Sequence, residues 1–120
     1  MKVAITVQGT SLNDPLDPRF GRAKQFLLVD SETGEAAIRS NEVNLNAVQG
    51  AGIQAGQQVV DSGAAAVITG HVGPKAFRVL EAAGIPVYLA ADCTAGEALD
   101  RFKRNELSQQ KTADVEGHWV

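Results

Sequence analysis

From residue 50 onward the chain alternates between helical periodicity and short apolar runs, and this alternation constrains its fold more than any other feature. Residues 50–62 carry Ile53, Gly56 or Gln57, and Val60 on one helical face, and Gly63 stops the pattern. Residues 64–69 form a continuous apolar run, as a strand covered on both faces requires. Pro74 stands where a first helical turn tolerates it. Ala76, Phe77, Leu80 and Ala83 then share a face, and Gly84 ends it. Residues 85–90 are a second apolar run. Thr94-Ala95-Gly96-Glu97 reads as a capping box opening a helix through Ala98, Leu99 and Phe102 to Glu106. Helical crossovers of this kind join parallel strands.

The N-terminal part adds three more strands. Lys2–Val7 and Gln25–Asp30 are apolar runs, and residues 31–34 form a turn into a third strand over 35–40. The predicted order is βββαβαβα, an α/β fold with a mixed five-stranded sheet and helices on both faces. Val3–Val7, 67–69 and 86–89 should run parallel. Residues 41–49 lack a period and read as a loop. The chain has 120 residues, 44% of them hydrophobic, enough for one domain with a core. That domain is expected over residues 1–106, with a polar tail over 107–120 that is mobile or anchored by Trp119.

Composition removes several functions. The net charge is -3, which gives nucleic-acid binding little support. With the single thiol of Cys93, neither an internal disulfide nor four-thiolate ligation within one chain is possible. No stretch approaches the ~20 apolar residues of a membrane span, and the N-terminus lacks the apolar length of a signal peptide. A cytoplasmic protein is expected.

Ligands of open α/β sheets bind outside the carboxyl ends of parallel strands. Three segments converge there: Gln8-Gly9-Thr10, Gly70-His71-Val72-Gly73-Pro74-Lys75, and Ala91-Asp92-Cys93-Thr94. Two helices start at that edge, with N–H groups open to an anion. The long loop 8–24 can fold over it. Within that loop Asp17-Pro18-Arg19-Phe20-Gly21-Arg22 places two guanidiniums and an aromatic in six positions. Arginine fixes anions with geometry. Such a loop is expected to be mobile until an anion orders it. Arg19 and Arg22 are either ligand clamps or partners of Asp14 and Asp17. Phe20 is either a cover for a ligand or a core plug. His71 is a soft metal ligand, a donor to an anion, or an inconsequential loop residue. Cys93 is either a thiolate favoured by the adjacent helix start or a small buried hydrophobe. Gly50-Ala51-Gly52-Ile53-Gln54-Ala55 matches a dinucleotide fingerprint formally, but no strand leads into it and no acidic ribose partner follows. These glycines read as the tight start of a helix packed close to the sheet.

The strand order is similar to that of ribonuclease H. Nucleases on that plan hold two metals with carboxylates on the central strand, and Lys2–Gln8 contains none. The segment 17–23 followed by Phe26-Leu27-Leu28-Val29-Asp30 resembles the hallmark of the dinitrogenase iron–molybdenum cofactor biosynthesis family. Residues 50–55 and 69–77 resemble that family in the right order and spacing, so the likeness spans residues 2–102. The resemblance implies a ribonuclease H-like fold without nuclease chemistry. It also implies a non-covalently bound metal–sulfide cluster of molybdenum–copper or iron–molybdenum type, and protein partners in cluster delivery. In the family's nitrogenase cofactor carriers a histidine precedes the Phe-Gly pair and is implicated in cluster binding. Arg19 stands there in this chain, which favours electrostatic holding over direct ligation.

Taken together, the expected function is non-enzymatic: a carrier of an anionic cluster, with no nucleic-acid or membrane partner. The residues expected at the cluster are Gln8, Thr10, Arg19, Phe20, Gly21, Arg22, Gly70, His71, Val72, Gly73, Lys75 and Cys93, with His71 and Cys93 as the candidate metal ligands. A phosphate- or nucleotide-binding enzyme and a small-anion-sensing module are the alternatives for the same pocket.

Overall fold

The structure, a computed structural model, describes residues 1–41 and 51–111. Its elements are β1 (Lys2–Val7), β2 (Gln25–Asp30), β3 (Ala36–Ser40), α1 (Ala51–Ser62), β4 (Ala66–Thr69), α2 (Pro74–Ala82), β5 (Val87–Leu89), α3 (Ala95–Lys103) and β6 (Ser108–Gln110). The strands form one mixed sheet in the order β3-β2-β1-β4-β5-β6. β1, β4 and β5 are parallel, as the helical crossovers require. β2 and β3 are antiparallel to their neighbours, as the two short connections allow.

The sheet has six strands among the described residues, not five. Ser108-Gln109-Gln110 pairs antiparallel with β5 at the edge, inside the stretch read as a polar tail. Strand pairing at an edge is a backbone interaction, so three polar residues give no periodic signal of it. Gln110 is buried and its Nε2 donates to the Val72 carbonyl at 3.1 Å. α3 also ends earlier than its pattern suggested: Arg104 caps it, and Asn105 turns the chain at φ 57° into β6. The loop expected over 41–49 lies outside the described residues except for Asn41. Residues 112–120, including Trp119, lie outside them too.

Apolar side chains cover both faces of the sheet. Val3, Ile5 and Val7 of β1 join Leu27, Ile68, Ala98 and Leu99 on the α3 side. Ala4 joins Val67, Val59, Phe77 and Leu80 on the side of α1 and α2. β1 is central, so both sets are buried and its sequence is apolar without alternation. Phe20, from the long loop, fills the α1–α2 side. It is 1% exposed and its ring lies 5.5 Å from that of Phe26. Phe20→Ala is expected to cost about 3–5 kcal/mol, read as a lower midpoint in urea unfolding.

The glycines of α1 serve a helix–helix contact. A methyl at Gly56 would lie 3.2 Å from Val79 of α2, and one at Gly52 would lie 3.3 Å from the Ala76 side chain. Their smallness lets α1 approach α2, where the sequence suggested a close approach to the sheet.

Candidate functional site at the carboxyl edge of the sheet

The long loop is tied down by its own backbone. Leu16 bridges Val7, Pro15 bridges Thr94, and Arg19 bridges His71. Gln8 N–H donates to the Pro15 carbonyl at 2.9 Å, Asp17 N–H to Thr6 at 2.9 Å, and Phe20 N–H to His71 at 3.2 Å. Below, the Thr6 hydroxyl donates to the Asp17 carbonyl at 2.6 Å and lies 2.7 Å from the Thr69 hydroxyl. Pro18 presses on Gly70, where an added Cβ would lie 2.6 Å from the Pro18 Cα. Residues 15–20 are therefore a strap across the ends of β1 and β4.

Arg19 is committed to this strap. Its backbone N–H donates to Asp17 Oδ1 at 2.9 Å, and its guanidinium reaches the two carboxylate oxygens at 3.3 and 3.4 Å. The Asp17 side chain is 2% exposed and that of Arg19 is 64% exposed. A buried carboxylate without a partner is costly, so Arg19 neutralises Asp17. This is the pairing alternative left open above.

The two helix starts differ in chemistry. At α3 the amides are all taken. Thr94 N–H donates to Glu97 Oε1, and Glu97 N–H donates back to the Thr94 hydroxyl. Ala95 and Gly96 donate to the carbonyls of Asp14 and Leu12 at 2.9 and 2.8 Å. The capping box was legible in the sequence; its consequence, that α3 has no amide to offer a ligand, was not. At α2 the N-cap is Gly73, which supplies no side-chain cap. Pro74 has no N–H, and among the described residues the amides of Lys75 and Ala76 have no partner. A cavity of about 360 Å³ opens there, lined by Gly21, Gly52, Gly73, Pro74, Lys75 and Ala76. Arg22 is exposed beside Gly21.

The candidate residues thus fall into separate groups. Gly21, Gly73 and Lys75 share the cavity at α2, and Arg22 follows Gly21 in the chain. Gln8, Gly70 and Cys93 line a groove of about 580 Å³ together with Leu16, Asp92 and Glu97. Phe20 and Val72, both expected at the cluster, are 1% and 0% exposed within the core. Thr10 is exposed and donates its N–H to Asp14 Oδ2 at 2.8 Å. That bond and one from Ser11 hold the Asp14 carboxyl below its ordinary range. His71 is exposed, and the cavities lined by Cys93 do not include it.

Cys93 is half-buried, which sides with the hydrophobe alternative over the thiolate one. Burial pushes its thiol up; nearby Arg101 opposes this, while Glu97 and Asp92 add to it. The start of α3 does not offset burial, because its amides already have partners. The folded protein holds this proton more tightly than the unfolded chain, so stability falls as pH rises above the unfolded thiol's range. Cys93→Ser is expected to flatten the alkaline part of a stability–pH curve, and iodoacetamide should label native Cys93 slowly at neutral pH.

Sequence reasoning missed Asn41. Its Nδ2 donates to the Ala23 carbonyl at 2.7 Å and to that of Gly21 at 3.3 Å. Its backbone N–H donates to Lys24. Gln58 of α1 donates to its Oδ1 at 3.4 Å, and Arg39 donates to Gln58 at 3.0 Å. This relay fixes the turn that carries Arg22. Nothing local marks it, because an asparagine after a strand reads as a loop residue.

Comparisons agree with this architecture. The dinitrogenase iron–molybdenum cofactor family model matches residues 1–105. The apo form of the orange protein from Desulfovibrio gigas superposes with a TM-score of 0.91 at 38% identity, covering 95% of this chain and 96% of that one. A Thermotoga protein described as a NifB protein of the DUF35 family gives a TM-score of 0.83 at 34% identity, over 97% and 98% of the two chains. An uncharacterised protein of Methanocaldococcus jannaschii is 31% identical over 113 residues, 91% of each chain. The family match takes in the strap, the cavity at α2 and the three helices of the described residues, and on that basis the chain belongs to the dinitrogenase iron–molybdenum cofactor family.

Proposed function

We propose that the protein is a non-enzymatic carrier of an anionic metal–sulfide cluster, containing molybdenum, held non-covalently at the start of α2. The observation that carries this reading is the glycine-walled cavity there, where the amides of Lys75 and Ala76 have no partner among the described residues. Amides at a helix start attract anions. Lys75 and Arg22 add positive charge beside it. The glycine walls leave room for bulky sulfur edges. Family membership and the likeness to the orange protein support a cluster cargo over phosphate. We read the β3-β2-β1-β4-β5 part of the sheet as ribonuclease H-like. Its central strand, Lys2–Val7, carries no carboxylate for nuclease metals.

His71 and Cys93 are the soft donors. Cys93 lines the groove with Asp92 and Glu97, not the cavity at the start of α2. Holding by hydrogen bonds and charge is therefore the favoured mode. The test is gel filtration of the protein with tetrathiomolybdate. Comigration of the sulfide-to-metal charge-transfer bands with the protein is expected, with excess phosphate failing to displace them. Displacement by phosphate would favour the enzyme or anion-sensor alternatives, and absence of comigration would remove the carrier reading.

A further inference from the structure

Among the described residues β3 is an outer strand of the sheet. Ala36, Ala37 and Ile38 are exposed, and Ile38, at 39%, is a large apolar side chain left to solvent. Natural edges are usually blunted by proline, lysine, a bulge or a cover. Ala36–Ser40 has neither proline nor lysine and pairs with β2 in unbroken register.

The backbone says which groups point outward. Asp30 N–H donates to the Glu35 carbonyl at 2.8 Å. In an antiparallel ladder hydrogen-bonded pairs alternate, so Glu35, Ala37 and Arg39 turn their N–H and C=O groups toward β2. Ala36 and Ile38 turn theirs outward. The side chains follow the pleat. Ile38 lies opposite Leu27 on the α3 side. Arg39 lies on the other side, donating to Gln58 of α1, and Glu35 shares that side by parity.

We propose that β3 is the interface for a second copy of this chain, paired antiparallel about a two-fold axis at Ala37. In that register Ala36 faces Ile38 of the second copy, so the outward groups of both residues form two hydrogen-bonded pairs. Ile38 then lies against Ala36, and both leave water. Glu35 faces Arg39 of the second copy in a non-hydrogen-bonded pair, where side chains come closest. The symmetry makes that ion pair twice. Centring the axis on Ile38 would instead put Arg39 opposite Ala37 and lose both ion pairs. Charge therefore selects the register. A five-residue edge buries less than the ~1,000 Å² of a stable interface, so the dimer is weak and concentration-dependent.

The test is sedimentation and ¹⁵N NMR of the full chain on dilution from millimolar to micromolar. The Ala36 and Ile38 amide shifts should move as the dimer dissociates. Glu35→Lys should weaken the dimer about tenfold, by replacing two attractions with two repulsions. Arg39→Glu should do likewise, and combining the two substitutions should restore the dimer with the signs exchanged. Circular dichroism checks the fold of each variant. Amide shifts at Ala36 and Ile38 that ignore concentration would overturn the proposal. So would a dimer indifferent to Glu35→Lys, or a double variant that fails to recover. None of these results depends on cluster binding.

Discussion

Replacing Arg22 and Lys75 together with alanine is expected to lower the affinity for tetrathiomolybdate about a hundredfold. Each would lose a charge-assisted contact worth about 1.5 kcal/mol. Both side chains are exposed, so the apo fold should survive, with a stability loss no larger than that of one surface interaction of Arg22. Wild-type binding should weaken with salt, and the double variant should show a shallower salt dependence. Arg19→Ala is the contrast. Its guanidinium already serves Asp17, so its removal should act on the fold, by about 1–2 kcal/mol after discounting for its exposure. Titration of each variant with tetrathiomolybdate, alongside urea unfolding, separates the two roles. Equal affinity in wild type and the Arg22/Lys75 variant would move the cargo away from α2.

The second large effect concerns the strap. Gly70→Ala would set a methyl 2.6 Å from the Pro18 Cα and 2.8 Å from its carbonyl oxygen. Both are backbone atoms, so the strap itself must move. A loss of about 3 kcal/mol is expected, with faster amide exchange at Leu16, Asp17 and Phe20, whose N–H groups hold the strap. Gly73→Ala is the matched control at the other group of candidates. Nothing lies within 4 Å of its added Cβ, and its φ of -68° suits any residue. It should leave stability unchanged and weaken cluster binding by narrowing the cavity. Wild-type stability in Gly70→Ala would mean the strap yields more easily than its hydrogen bonds imply.

Local physics fixed much of this protein before any tertiary contact formed. The apolar runs of β1 and β4, and the helices between parallel strands, follow from patterning and from the handedness of crossovers. The ends of α1 and α2 follow from Gly63 and Gly84, both at positive φ. The capping box of α3 follows from Thr94 and Glu97. The family was also legible, because each of its motifs is a contiguous run of residues. Pairings between distant segments were not. β6 joins the sheet through backbone groups that every residue carries. Arg19 and Arg22 look alike in the chain. Only the fold buries Asp17 beside Arg19 and brings Gly21, the chain neighbour of Arg22, to the start of α2. The capping box accounts for only two donors at the start of α3; the amides of Ala95 and Gly96 are taken only when Asp14 and Leu12 arrive from the long loop. Whether a charge or an amide is free for a ligand depends on what else it touches, and only the tertiary structure decides that.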